Sequence, residues 1–242
     1  MITYRHFLAT LVLAIACSAA YAETPATADE WQFQLTPYVW LAGITGDMVS
    51  DGVDLPPINP GYSFFSLDNL DGVAFLTFGA TKGQWSIHSD LVFVSFADTI
   101  SIDPVEAEWD LDGATLELSA GYRPASWQNT KLIFGVRGVE LGLDATLTPG
   151  PTGSGEASFV DPIVGVSYQQ TFANKWGVYA RGDIGAGASE VMANAALAGT
   201  YQFTDTFTLM FGYRYLMIDF EDSDVLLDLS IHGYTIGFQF AW

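Results

Sequence analysis

Ser86, His88 and Asp90 stand at i, i+2 and i+4, the nearest this chain comes to a nucleophile, a base and an acid grouped in sequence. On a β-strand those positions share one face, about 6.6 Å apart per step, too far for a direct hydrogen-bond relay. A partner from another strand would be needed, and no motif supplies one. His232 is the only other histidine beyond the N-terminal region, and without two convergent histidines a transition-metal site has no support. No stretch has the spaced ligands and glycine of a calcium loop. The expectation is therefore no catalysis, no metal and no cofactor.

The other chemistry is ionic. Arg137, Arg181 and Arg214 are three of the few basic residues, and they fall at strand positions that also carry Asp90, Glu117, Asp161 and Asp183. Guanidinium and carboxylate groups of this kind pair by bidentate hydrogen bonds when brought together. Whether they meet depends on the elements that carry them.

Those elements are strands. From Trp31 to Ala42, Trp31, Phe33, Leu35, Pro37, Val39 and Leu41 alternate with Gln32, Gln34, Thr36, Tyr38 and Trp40, a period of two. The pattern recurs and predicts strands over 31–42, 72–82, 85–97, 109–123, 130–145, 159–171, 176–189, 193–203, 207–220 and 227–242. In the ninth, Phe207, Leu209, Phe211, Tyr213 and Tyr215 oppose Thr208, Met210, Gly212 and Arg214. Each is long enough to cross a bilayer as a tilted strand, which takes about 9–11 residues. Short connections (83–84, 123–129, 172–175, 204–206) alternate with longer ones at 43–71, 98–108, 146–158, 190–192 and 221–226. Short periplasmic turns and longer outer loops are the habit of outer-membrane barrels.

Composition agrees. Half the residues are hydrophobic and only 15% are charged, unusual for a soluble domain and suited to a barrel that shows lipid an apolar face. No apolar run approaches the roughly 20 residues of a membrane helix. Aromatics gather beside the short turns and the C-terminus: Trp85, Trp127, Tyr168, Phe172, Trp176, Tyr201, Phe203, Phe207, Phe240 and Trp242. Such rings suit the headgroup level and read as a girdle. The predicted fold is all-β, a single antiparallel up-and-down transmembrane β-barrel of ten strands, with eight or twelve as alternatives if a short segment is misread.

The N-terminus reads as an export signal over residues 1–22: Arg5 and His6, an apolar run from Phe7 to Ala16, then Ala20-Tyr21-Ala22 before Glu23. Lipidation at Cys17 is the alternative, disfavoured by Ala14 three positions earlier. Cleavage would leave no cysteine, a short segment over 23–30 and a barrel domain over 31–242. It would also leave 7 basic against 28 acidic residues, which argues against a nucleic-acid partner.

Phe238-Gln239-Phe240-Ala241-Trp242 resembles the C-terminal signature of outer-membrane barrel proteins. Pro37-Tyr38-Val39-Trp40-Leu41-Ala42-Gly43, Asp161-Pro162-Ile163-Val164-Gly165, Arg181-Gly182-Asp183-Ile184-Gly185 and Gly212-Tyr213-Arg214-Tyr215 resemble a largely uncharacterised group of proteobacterial outer-membrane barrels. The resemblance implies a Gram-negative outer membrane and surrounding lipid and lipopolysaccharide. It further implies that Phe238, Phe240 and Trp242 form an assembly signal read by the barrel-insertion machinery. No activity is implied.

With the apolar faces on lipid, His88, Asp90, Glu117, Arg137, Asp161, Arg181, Asp183 and Arg214 point into the lumen. A paired network that fills it is the expected role of the last seven; a charged constriction selecting small solutes or ions is the alternative, and a barrel-type enzyme the second. Ten strands lie near the closed end of the barrel range. Asp47, Asp51, Asp54, Asp68, Asp71, Asp98, Asp103, Glu106, Glu108, Asp110, Asp112, Glu221, Asp222, Asp224 and Asp228 make the outer loops acidic, read as a hydrated surface or as sites for hard divalent cations. Lys82, Arg123, Lys131 and Lys175 lie beside short turns. The stretch Leu55–Tyr62 is stiff and apolar enough for a lid, and Thr148–Gly155 reads as a mobile loop. The sequence sets no oligomeric state.

Overall fold

The computed structural model describes residues 30–50, 53–54, 70–102, 105–150, 152–172, 175–222 and 225–242. The export signal, nearly all of the 23–30 segment and the apolar stretch Leu55–Tyr62 lie outside the described residues, as do Asp51, Asp68, Asp103 and Asp224 of the acidic loops. Ten strands follow one another around a closed cylinder: β1 (Gln32–Ser50), β2 (Leu70–Lys82), β3 (Trp85–Ile102), β4 (Val105–Tyr122), β5 (Thr130–Thr148), β6 (Thr152–Thr171), β7 (Trp176–Gly185), β8 (Val191–Thr204), β9 (Phe207–Glu221) and β10 (Val225–Ala241). Every neighbour is antiparallel, and β10 closes on β1 from Gln34↔Ala241 to Ser50↔Val225. A two-residue strand, Val53–Asp54, folds back on the end of β1.

The short turns gather at one end with both strand termini of the barrel. Two of them, Gly83-Gln84 and Asp205-Thr206, are only two residues long; Gly83 takes a φ of 60°, a left-handed conformation that glycine adopts without Cβ strain. Arg123 donates to the Gly83 carbonyl and Lys175 to the Phe203 carbonyl, so these two basic residues fasten turns of this end. At the opposite end the strands run further than the sequence predicts. The β3–β4 ladder continues to Ile102↔Val105, so most of the 98–108 loop is hairpin. Thr152–Gly155, expected as loop, is paired with β5. In contrast, β7 stops at Gly185, short of the expected 189.

Two seams interrupt the wall at that outer end, among the described residues. β1 pairs with β2 only as far as Pro37↔Leu76, and β6 pairs with β7 only as far as Ile163↔Gly185, one residue from Pro162. Proline has no N–H to give a ladder. Beyond the seams β2–β6 form one sheet and β8–β10 with β1 another. The outer part of β6 draws close to β1 and β10 across the interior, and the ring of Phe159 on β6 stacks on Phe220 of β9.

The polarity of the two wall faces changes along each strand. Nearer the short turns the outward residues are apolar and open: Leu118, Val164, Ile184 and Leu197 are 51, 59, 60 and 60% exposed. Beyond them the outward residues turn polar, with Glu108, Asp110, Asp112, Glu140, Asp144 and Glu156 all exposed. The inward residues change the opposite way. On β9, Thr208, Met210, Gly212 and Arg214 give way to buried Leu216, Ile218 and Phe220. A cylinder with an apolar outer belt has lipid as its solvent, and a closed barrel is the strand form that spans lipid. The protein is a ten-stranded barrel with the apolar outer belt of a membrane-spanning one, and beyond that belt its wall is polar outside and apolar within.

That reversal explains why the sequence undercounts strand length. Alternation persists into the outer third, but its phase flips, so a fixed apolar-out pattern reads the extension as loop.

Candidate functional site

At the level where polarity reverses, six charged side chains from five strands meet across the lumen. Arg137 of β5 reaches Glu117 of β4 at 2.7 Å and Asp183 of β7 at 2.8 Å through one nitrogen. Arg181 of β7 bonds the other oxygens of the same carboxylates, Glu117 at 2.6 Å and Asp183 at 2.9 Å. Across from them Arg214 of β9 meets Asp90 of β3 at 2.8 Å. Two neutral side chains complete the circuit. Tyr38 of β1 donates to Asp90 and accepts from Arg214, while Asn194 of β8 accepts from Arg214 and donates to Asp183. Ser119 donates to Glu117, and the Arg214 guanidinium lies 4.8 Å over the Trp40 ring.

Register explains the wiring. Asp90, Glu117 and Arg137 are directly opposite one another on β3, β4 and β5. Two adjacent like charges repel, and the arrangement separates them: Glu117 turns to Arg137 and Arg181, Asp90 across the lumen to Arg214. Three guanidiniums thus match three carboxylates, and Arg137 is only 1% exposed. Charges this deep are tolerated because each has an oppositely charged partner; the second terminal nitrogen of Arg137 is nonetheless buried without a hydrogen bond.

Asp161 departs from the sequence expectation. It faces inward on β6 and is fully buried, yet it bonds no arginine among the described residues. Its carboxylate accepts from the backbone N–H of Ala188 at 2.7 Å and of Ser189 at 3.1 Å, and from the Ser189 hydroxyl. The cause is the early end of β7: the chain turns at 186–190 beside β6 and offers its free N–H groups to the nearest carboxylate. Asp161 holds a turn; the ionic layer has six members.

Outward of the layer the lumen is filled. Trp40, Phe75, Val139, Phe159, Met192, Leu216, Ile218, Phe220, Leu227 and Leu229 form one buried cluster. Phe159 and Phe220 stack at 4.5 Å, only 7° from parallel. Toward the short turns the lumen is open instead. A cavity of about 200 Å³ lies there, floored by Asp90, Glu117, Arg181 and Arg214 and walled by hydroxyl and amide side chains interspersed with apolar ones such as Ile133, Ala198 and Met210. The ionic layer is the boundary between an apolar plug and a polar vestibule.

Ser86 and His88 line this vestibule, on the face they were expected to share with Asp90. No relay links the three, because the Asp90 carboxylate is taken by Arg214 and Tyr38. His232 faces outward, its Nδ1 2.7 Å from the Tyr213 hydroxyl and its ring stacked on Tyr215. No group of metal ligands occurs among the described residues. Phe238, Phe240 and Trp242 are exposed on the outer wall at the short-turn end, where Phe207 packs on Phe238 and Phe240 and Phe33 on Trp242.

The alternation of β1 sets Tyr38 and Trp40 inward without giving them a role, and nothing in the sequence singles out Asn194. A neutral residue whose amide both donates and accepts is the natural bridge between an arginine and a carboxylate that do not touch, but only the fold shows that it stands between them. The plug had a readable signal in the apolar Leu216, Ile218 and Phe220 on the parity of Arg214.

No family model matches the sequence, and no curated protein matches it. Among solved structures the chain is similar to the outer membrane protease OmpT from Escherichia coli, with 11% identity over 91% of this chain and 99% of that one at a TM-score of 0.47. It is similar to the translocator domain of the autotransporter NalP from Neisseria meningitidis, with 11% identity over 96% and 94% at 0.42. The attachment invasion locus protein Ail of Yersinia pestis, solved with the heparin analogue sucrose octasulfate, shares 9% identity over 88% and 99% at 0.39. At such identities and scores, likeness to a protease, a translocator and an attachment protein assigns no activity.

Proposed function

We propose that this protein is a sealed outer-membrane barrel with a structural or surface-exposed role, neither a conduit nor an enzyme. The observation that carries the reading is the apolar plug seated on a charge-matched ionic layer. An ion crossing would lose its water among Leu216, Ile218, Phe220 and Leu227, and transferring a charge into such surroundings is costly. Against an enzyme, Ser86, His88 and Asp90 form no relay, and Asp90 is committed elsewhere.

In this reading residues 1–22 direct export. The insertion machinery recognises Phe238, Phe240 and Trp242, in line with the resemblance of the C-terminus to outer-membrane barrels. Lipopolysaccharide surrounds the acidic outer wall, and no nucleic acid is engaged. The test is conductance of the refolded chain in a planar bilayer, with folding confirmed by a heat-dependent gel shift. A silent bilayer is expected. Discrete openings of the folded wild type would overturn the proposal in favour of a narrow channel selective through Arg137, Arg181 and Arg214.

A further inference from the structure

We infer that the periplasmic vestibule is a binding pocket for a small neutral polyhydroxyl solute, one sugar ring or a polyol of that size. The pocket is blind: its floor is the ionic layer, so a solute enters and leaves on the periplasmic side. That geometry suits retention. The inference uses the closed reading only for this floor.

The ligand class follows from the lining. Hydroxyls project from five strands at Thr36, Thr77, Thr81, Ser86, Ser119 and Ser167, joined by the amides of Gln34, Gln169 and Gln239, with Ile133, Ala198 and Met210 as apolar wall between them. Each of these groups can both donate and accept, which matches a solute whose own groups do both. Tyr38 and Tyr179 add aromatic surface among them, suited to the C–H faces of a sugar ring.

Charge removes the alternatives. The floor presents carboxylates and guanidiniums that neutralise one another. An anion would meet Asp90 and Glu117, a cation Arg181 and Arg214. Lys131 is the one unmatched charge of the described lining, and it lies near the mouth beside Asn129. Size agrees as well, because 200 Å³ falls below the roughly 300–1,000 Å³ of pockets that take drug-sized ligands.

The experiment is saturation-transfer NMR on the full folded chain in detergent, with D-glucose, gluconate and D-glucosamine as probes of similar size and different charge. D-glucose should show saturable transfer with a Kd of about 1 mM, several-fold tighter than either charged analogue. Thr81→Trp and Ser167→Trp, which fill the vestibule without touching the ionic layer, should abolish it while keeping the heat-dependent gel shift. Two variants are used so that misfolding of one leaves the other decisive. Absence of saturable transfer from glucose to the folded wild type overturns the inference. So does equal transfer to a folded filling variant, and so does a preference for gluconate or glucosamine. Conductance of the same preparation reports on the closed reading separately, since a barrel that both conducts and binds glucose would refute only the seal.

Discussion

Phe159 and Phe220 lie face to face, ring centroids 4.5 Å apart, although three strand-to-strand steps separate β6 from β9 around the wall. The contact spans the interior and is possible because the seams at Pro37 and Pro162 let the two outer sheets approach. Phe220→Ala should therefore cost about 3–5 kcal/mol, read as a lowered denaturant midpoint of the folded barrel. Phe159→Ala combined with Phe220→Ala should raise leak through a planar bilayer. An unchanged midpoint would show that the stack contributes nothing to the seal.

The ionic layer should punish half-removal more than full removal. Arg214→Met leaves Asp90 buried with only Tyr38 as partner, a loss of about 3–5 kcal/mol. Adding Asp90→Leu should recover most of it, because the apolar pair needs no compensation. Denaturant midpoints of the two single variants and the double variant form the cycle. Additive losses would mean that the residues do not act as a pair.

Asp161→Ala tests the turn. Two backbone N–H groups and a hydroxyl lose their acceptor, so about 1–3 kcal/mol is expected. Hydrogen exchange should accelerate at Ala188 and Ser189 and stay unchanged around Arg137. Faster exchange at the ionic layer would return Asp161 to the network from which its contacts remove it.

The reversal of polarity predicts a dependence on height. Leu118→Arg, on the lipid belt, should cost about 2–4 kcal/mol. Glu156→Arg, on the outer extension, should stay within about 0.5 kcal/mol, as an exposed surface change does. Similar losses at both positions would place the outer third inside lipid.

Ten strands, their order and the short turns were legible because period-two alternation needs no tertiary information. Six of the seven expected network residues were legible for the same reason: charge on the inward parity of a lipid-facing strand has few places to go. Three features were not. The outer ends of β4 and β6 keep alternating in reversed phase, so a rule that sets apolar residues outward stops short of them. The place of Asp161 depends on where β7 ends, and Gly185 carries no stop signal that differs from the other glycines of these strands. Asn194 is uncharged, and its value lies in standing between Arg214 and Asp183, a relation among strands rather than along one.

The outward run Phe207, Leu209, Phe211, Tyr213, Tyr215, Met217 ends where Asp219 and Glu221 follow on the same face. Phe207 to Met217 is ten steps, about 33 Å along the strand and about 25 Å along the membrane normal at a tilt near 40°. The chain therefore carries a gauge of bilayer thickness, set near the apolar band of about 25 Å that transmembrane barrels present. In a thicker bilayer the carboxylates above the belt would be drawn into hydrocarbon, or the lipid would have to thin around them. Hydrophobic mismatch alone would then hold the protein in the thinner of two membranes, with no receptor needed to sort it.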